Sequence, residues 1–110
     1  MKTLGSALCV SLFVAAGLAQ TGKPVTFTPP SGFVPDATTA IKVAEAVLVP
    51  VYGDKVIASE RPLTVSLGRN GIWTVSGTLH CPGESDCDGG VAIVRIAKVD
   101  GKILSMIHEK

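Results

Sequence analysis

The first regular pattern of apolar residues in the chain has a helical period. Apolar side chains stand at offsets of 0, 3, 4, 7, 10 and 11 from Ala37, which places them on one face of a 3.6-residue repeat. Asp36 precedes this run and supplies an N-cap side chain. Pro50 ends or kinks the helix, because the residue before a proline avoids the α region. The pattern predicts an amphipathic helix from residue 37, with Ala40, Ile41, Ala44 and Leu48 among its core residues.

Beyond this helix the apolar period changes to two. Gly53 and Asp54 predict a turn, and the apolar pair at 56–57 predicts a short extended piece. From Pro62 onward, alternation and tight-turn dipeptides predict strands near 63–67, 72–79, 91–97 and 103–107. The side chains expected to point inward on the first two strands are Leu63, Val65, Leu67, Trp73, Val75, Gly77 and Leu79.

One helix followed by consecutive strands indicates an α+β fold. We expect one main helix packed on a curved antiparallel sheet of three to four strands. Trp73 and Val75 complete the predicted core, with Trp73 against Ala40 and Ala44 of the helix and against Leu63 or Val65 on the neighbouring strand.

The chain begins with the features of a secretory signal peptide. Lys2 gives a positive start, residues 7–16 form a short apolar run, and Ala19 ends a small-residue cleavage site before Gln20. A transmembrane anchor is the alternative, but it needs about 20 apolar residues. We expect a signal peptide at 1–19, an extended proline-rich tether at 20–35 and a domain at 36–110. The protein is then exported, periplasmic or secreted, with no stable membrane anchor after cleavage.

Composition narrows the function classes without selecting one. The 110 residues suit one small domain, and a net charge of +1 argues against a nucleic-acid partner. Serines lack a Gly-x-Ser-x-Gly context, and no glycine-rich loop joins a strand to a helix. His80 is expected to be exposed and His108 to be a solvated strand end. We therefore predict no catalytic residues, no cofactor and no metal, and hence no enzyme.

The loop at 80–90 carries two cysteines. Cys81 and Cys87 are the cysteines left after signal cleavage, and in an exported chain they predict a disulfide. A zinc site formed with His80 is an alternative, but it lacks a fourth ligand and the usual spacing. A redox dithiol is disfavoured because the chain has no C-x-x-C motif.

The same loop is acidic. Glu84, Asp86 and Asp88 are spaced like the first ligands of a calcium loop. The twelfth position of that frame is Arg95, where a bidentate glutamate is required. A solvated acidic loop is therefore favoured, and calcium binding stays open as the alternative.

Six segments of the chain form an ordered set of motifs: residues 34–48, 50–53, 61–63, 72–79, 89–92 and 100–104. Together they resemble a small bacterial immunity family, the nuclear-transport-factor-two-fold (NTF2-fold) immunity proteins of polymorphic toxin systems. The resemblance implies a reduced cystatin-like or NTF2-like fold and a non-enzymatic protein that binds and neutralises a cognate toxin. The signal peptide and the cysteine-bearing loop depart from the family pattern.

Given this resemblance, the polar face of the sheet is a candidate surface for a toxin. Hydroxyl residues alternate along the first two strands, which β-propensity alone also explains. The functional interpretation is that this face and the acidic loop receive a basic surface of the toxin. Two other functions stay open: a PepSY-like periplasmic inhibitory domain, and a small ligand- or metal-binding module. The candidate contact residues are Thr74, Ser76, Thr78, Glu84, Asp86 and Asp88.

Overall fold

A computed structural model describes residues 22, 24, 26–82, 87 and 89–109. The predicted signal peptide and the acidic residues 84, 86 and 88 lie outside these described residues. Within the described part, no helix is both long enough and apolar enough to cross a membrane.

Helix α1 spans Ala37–Tyr52 and begins where the sequence predicts. The Asp36 carboxylate accepts a hydrogen bond from the Thr39 backbone N–H at 2.8 Å and caps the first turn. Hydrogen bonds from the side chain and then the backbone of Thr39 lower the pKa of the Asp36 carboxyl. Pro50 lies inside the helix and does not end it, although it has no N–H to donate to the Ala46 carbonyl. Gly53 then closes the last turn with an N–H donated to the Val49 carbonyl.

A second, short helix α2 spans Asp54–Ser59. Gly53, with φ +96°, separates the two helices where a turn was predicted, but the extended piece predicted at 56–57 is wrong. Val56 and Ile57 are β-branched and indicated a strand, but they lie in a helical turn that buries Ile57 and leaves Val56 largely exposed. Burial of this one side chain against the core, rather than local propensity, decides the conformation.

Four antiparallel strands form one sheet in sequence order. Their bounds are Thr64–Leu67 (β1), Ile72–Ser76 (β2), Ala92–Ala97 (β3) and Ile103–His108 (β4). Helix α1 packs on β1, β2 and β3. The predicted α+β architecture, with one main helix on a four-strand antiparallel sheet, is thus confirmed.

The core lies between helix α1 and one face of the sheet. Of the six predicted core residues, Ile41 is half-buried and packs against the cluster. The other five are buried: Ala40, Ala44, Leu48, Trp73 and Val75.

Two of the side chains predicted to point inward are exposed. Leu67 lies at the end of edge strand β1, and Leu79 lies beyond the end of β2, where strand alternation no longer applies. Trp73 belongs to the same buried cluster as Ala40 and Ala44, as predicted. On β1 its register partner is Leu67, not Leu63 or Val65.

The folded unit begins before the predicted domain start at residue 36. Val34 is 2% exposed and its N–H donates to the Lys98 carbonyl, while the Phe33 N–H donates to the Val99 carbonyl. The Trp73 indole N–H in turn donates to the Val34 carbonyl at 2.8 Å in a buried site. The end of the predicted tether is therefore part of the fold, because these hydrogen bonds hold it against the β3–β4 turn.

Candidate functional site

One face of the sheet is turned away from the core, and we call it the open face. Strand alternation places every second residue on it, and the register aligns these residues into rows across the strands. Both helices bury their apolar side chains on the opposite face. The first row of the open face is Ser66, Thr74, Arg95 and Ser105, and the next is Thr64, Ser76, Ile93 and Ile107.

The predicted hydroxyl row is only partly on this face. Thr74 and Ser76 lie on β2, half-buried and turned away from the core, as alternation predicts. Thr78 lies beyond β2, and its hydroxyl donates to the Pro62 carbonyl at 2.6 Å. This hydroxyl therefore connects the end of β2 to the segment before β1, and it is not free for a partner.

The open face is also less uniformly polar than the sequence indicates. Ile93 and Ile107 are register partners on β3 and β4, and Ile107 is 51% exposed. Ile72 adds a third aliphatic side chain from β2. The face thus combines hydroxyl groups with three aliphatic side chains.

Arg95 lies near the middle of the open face on the central strand β3. Its register partners are Thr74 on one side and Ser105 on the other. The side chain is exposed, and neither ion pair formed among the described residues includes it. Sequence reasoning considered Arg95 only as a failed calcium ligand. Its alternation with Ile93 on an otherwise apolar strand was the signal that could have placed it on this face.

A second polar cluster, centred on the buried Glu60 side chain, lies on the core side of the sheet. Glu60 is 6% exposed, and its carboxylate accepts from the Ala92 backbone N–H at 2.7 Å and pairs with His108 Nε2 at 2.8 Å. The Tyr52 ring packs on the His108 ring with centroids 5.3 Å apart. A Cβ at Gly77 would overlap the Glu60 side chain. His108 is the exposed last residue of β4, as expected, but its imidazole also pairs with the Glu60 carboxylate. Sequence reasoning missed Glu60 altogether.

This cluster joins elements of the fold. The Glu60 carboxylate connects the end of α2 to β3 and β4, and its carbonyl accepts from the Thr78 N–H at 2.7 Å. Both carboxylate oxygens are already engaged by protein groups. The arrangement therefore has a structural role: the hydrogen bonds of the buried Glu60 side chain are all made to other parts of the protein and connect α2 to the sheet.

The predicted disulfide between Cys81 and Cys87 is present, with the two Cα atoms 5.4 Å apart. Because the bond uses both thiols, the zinc site of His80, Cys81 and Cys87 is ruled out as a thiolate site. His80 is exposed as expected, and its Nε2 lies 2.6 Å from the Arg61 carbonyl. No cluster of three or more metal-binding side chains occurs among the residues that the structure describes.

An open cavity of about 450 Å³ lies between the N-terminal segment and two hairpin turns. Its walls include Pro29, Pro30, Asn70 and Val99. Lys98 lies at its edge, with its ammonium group donating to the Ser31 carbonyl. The ammonium group of this lining residue is thus already engaged by a backbone carbonyl.

A comparison with protein-family models identifies one family. A family model described as "NTF2 fold immunity protein" matches residues 39–110. The chain is also 32% identical over 77 residues to a protein of Escherichia coli (strain K12) named "Uncharacterized protein YhhH". That match covers 70% of this chain and 58% of the relative, so the chain spans little more than half of the relative's length. No solved structure matches the chain significantly.

Proposed function

Because the chain belongs to the NTF2 fold immunity protein family, we propose that it binds a cognate toxin and neutralises it without catalysis. Immunity proteins act by binding their toxins, and members of this family are typically non-enzymatic. The family match carries the proposal. It includes all four strands and nearly all of helix α1, so it spans the unit that presents the open face.

We further propose that the protein acts after export. Residues 1–19 have the pattern of a signal peptide. The Cys81–Cys87 disulfide supports this location, because disulfides form and persist mainly in oxidising compartments. The toxin would then be met in the periplasm or outside the cell.

We place the toxin contact on the open face and its neighbouring loop. Thr74 and Ser76 lie on the face, and the chain leaves β2 after Ser76 to enter the loop that carries the acidic residues. Glu84, Asp86 and Asp88 in that loop would form a rim that speeds association with a basic part of the toxin, as charged rims do. The hydroxyl of Thr78 is engaged elsewhere, so we leave it out of this surface.

The test is protection of a sensitive host against the toxin domain encoded in the same gene cluster. The full-length chain should protect, and the purified protein should bind an inactivated form of that toxin with 1:1 stoichiometry in calorimetry. A chain lacking residues 1–19 should bind equally well in vitro but lose protection when the toxin is directed to the periplasm. Absence of both binding and protection would refute the proposed function.

A lysine substitution of Glu84, Asp86 and Asp88 together tests the rim. Association with the inactivated toxin should slow, and its dependence on salt should weaken or invert, while thermal stability stays nearly unchanged. Association at the wild-type rate over a range of salt concentrations would show that this loop is only a connection.

A further inference from the structure

We propose that Arg95 is the anchor of the toxin interface and that it receives an acidic side chain of the toxin on the open face. This inference rests on the proposed function and adds to it the residue that anchors the contact and the charge of the group recognised. It differs from the expectation that the sheet face meets a basic surface, because the charged residue on the described part of this face is a cation.

The register surrounds Arg95 with hydroxyl groups. Thr74 on β2 and Ser105 on β4 are its direct cross-strand partners, and Ser66 follows in the same row on β1. Directly opposed residues have Cβ atoms about 4.5–5.5 Å apart, so hydroxyls and guanidinium reach one ligand together. A carboxylate accepts two parallel N–H bonds from a guanidinium and has lone pairs left for hydroxyl donors. This row therefore offers a carboxylate more donors than Arg95 alone would.

The next row supplies the apolar surroundings that such an anchor needs. Ile93 and Ile107 face the same side as Arg95, two residues away along β3 and β4 respectively from the Arg95–Ser105 pair. Arginine is enriched among residues that dominate interfaces, where neighbouring contacts exclude water from it. A toxin that covers Ile107, which is half exposed, would remove apolar surface from water. It would also exclude water from around the Arg95 guanidinium.

The charge of Arg95 is not compensated within the described part of the chain. The two ion pairs there are Glu45 with Arg61 and Glu60 with His108, and both lie elsewhere. An unpaired cation on the central strand, between hydroxyls and beside aliphatic side chains, is complementary to an anionic group. An acidic side chain of a protein partner fits this chemistry and the flat shape of a sheet.

The experiment measures binding of the inactivated toxin domain from the same gene cluster to variants of the full protein. Arg95→Glu and Arg95→Met should each weaken binding by about 30-fold or more, as truncation of an interface anchor does. The affinity of Arg95→Lys should fall between those of these variants and wild type. Lysine keeps the positive charge but cannot donate two parallel N–H bonds to a carboxylate. Arg69→Glu is the matched control, because Arg69 lies in the β1–β2 turn, and it should bind like wild type.

The outcomes separate this inference from the proposed function. If wild type binds and protects while the Arg95 variants bind equally well, the anchor is refuted and the immunity function stands. If wild type neither binds nor protects, the proposed function itself fails. A lysine scan of the toxin's carboxylates then identifies the partner group, since one such reversal should restore binding to Arg95→Glu. Thermal melts show whether each variant is folded, and Arg95→Met keeps the test valid if Arg95→Glu is unstable.

Discussion

Replacing Glu60 by alanine should destabilise the protein more than replacing any surface carboxylate. The Glu60 carboxylate is buried and accepts from the Ala92 N–H at 2.7 Å, and it pairs with His108 at 2.8 Å. The substitution removes the carboxylate, and with it both of these contacts. The Ala92 N–H, which belongs to the start of β3, is then left in the core without an acceptor.

The magnitude follows from these two contacts. A hydrogen bond to a charged group contributes about 1.5–3 kcal/mol, and an orphaned buried N–H costs about 1–3 kcal/mol. Together the free energy of unfolding should fall by about 2.5–6 kcal/mol, which is a large part of the 5–15 kcal/mol typical of a small domain. For a domain of this size, each kcal/mol lowers Tm by about 4–8 °C.

Urea unfolding of the oxidised protein gives the measurement, with the fluorescence of Trp73, the single tryptophan, as the signal. Glu45→Ala is the matched control. The pair of Glu45 with the Arg61 Nε, at 3.0 Å, is solvent-exposed and should contribute only about 0–1 kcal/mol. Glu60→Gln should retain more stability than Glu60→Ala, because its amide oxygen still accepts from Ala92. Equal unfolding midpoints for Glu60→Ala and Glu45→Ala would show that the buried contacts contribute nothing special.

Three further substitutions test other contacts of the fold. Trp73→Phe should cost about 1–3 kcal/mol in urea unfolding followed by circular dichroism, because the carbonyl that accepts from the indole is left unpaired; an unchanged midpoint would contradict this. Hydrogen bonds from Thr39 lower the pKa of Asp36, so its contribution is present above the unfolded-state pKa and lost on acidification from about pH 4 downward. Asp36→Asn should remove this part of the pH dependence while keeping the cap, and identical pH profiles would refute it. Gly32→Ala should cost about 1–3 kcal/mol and expose the N-terminal segment to proteolysis, since φ is +85° and a Cβ would overlap the Lys98 carbonyl; unchanged cleavage would oppose it.

Local patterns in the sequence were enough to predict the main helix and all four strands. The helix has a side-chain cap at Asp36 and a clear apolar face, and the strands alternate between tight turns. These signals are local, because each depends on residues within a single helix, strand or turn. Helix α2 was missed because its six residues hold one buried side chain, Ile57, which is too little to establish a period.

Contacts between distant residues could not be predicted in the same way. Glu60 and His108 are 48 residues apart in the sequence. Taken singly, a glutamate and a histidine at these positions are expected to be exposed to solvent. The bond from Trp73 to the Val34 carbonyl spans 39 residues and moves the start of the fold into the predicted tether. Such pairings depend on where the helices and strands meet, and no periodicity along the chain encodes that.

Arg95 was also missed, for a different reason. Alternation on β3 places it on the open face beside Ile93, but a single strand does not show which side chains flank it on β2 and β4. The register supplies Thr74 and Ser105, and this row turns one exposed arginine into a candidate anchor. The strand order and register were therefore required to identify the candidate site, although alternation in the sequence already indicated the face on which each residue lies.

We expect residues on the two faces of the sheet to have different roles. Those on the buried face stabilise the fold, and those on the open face bind the toxin. Residues on the buried side, such as Trp73 and Glu60, are fixed by packing and hydrogen bonds, so changes there act on the folded population. Arg95 and Ile107 are exposed on the other side, where neither the core nor a described ion pair requires them. β-propensity accounts for threonine and isoleucine at such positions, but it does not favour an arginine in the middle of the central strand. Binding of a partner to the open face would explain why an arginine occupies this position. Substitution of Arg95 should then weaken toxin binding and leave the free energy of unfolding unchanged.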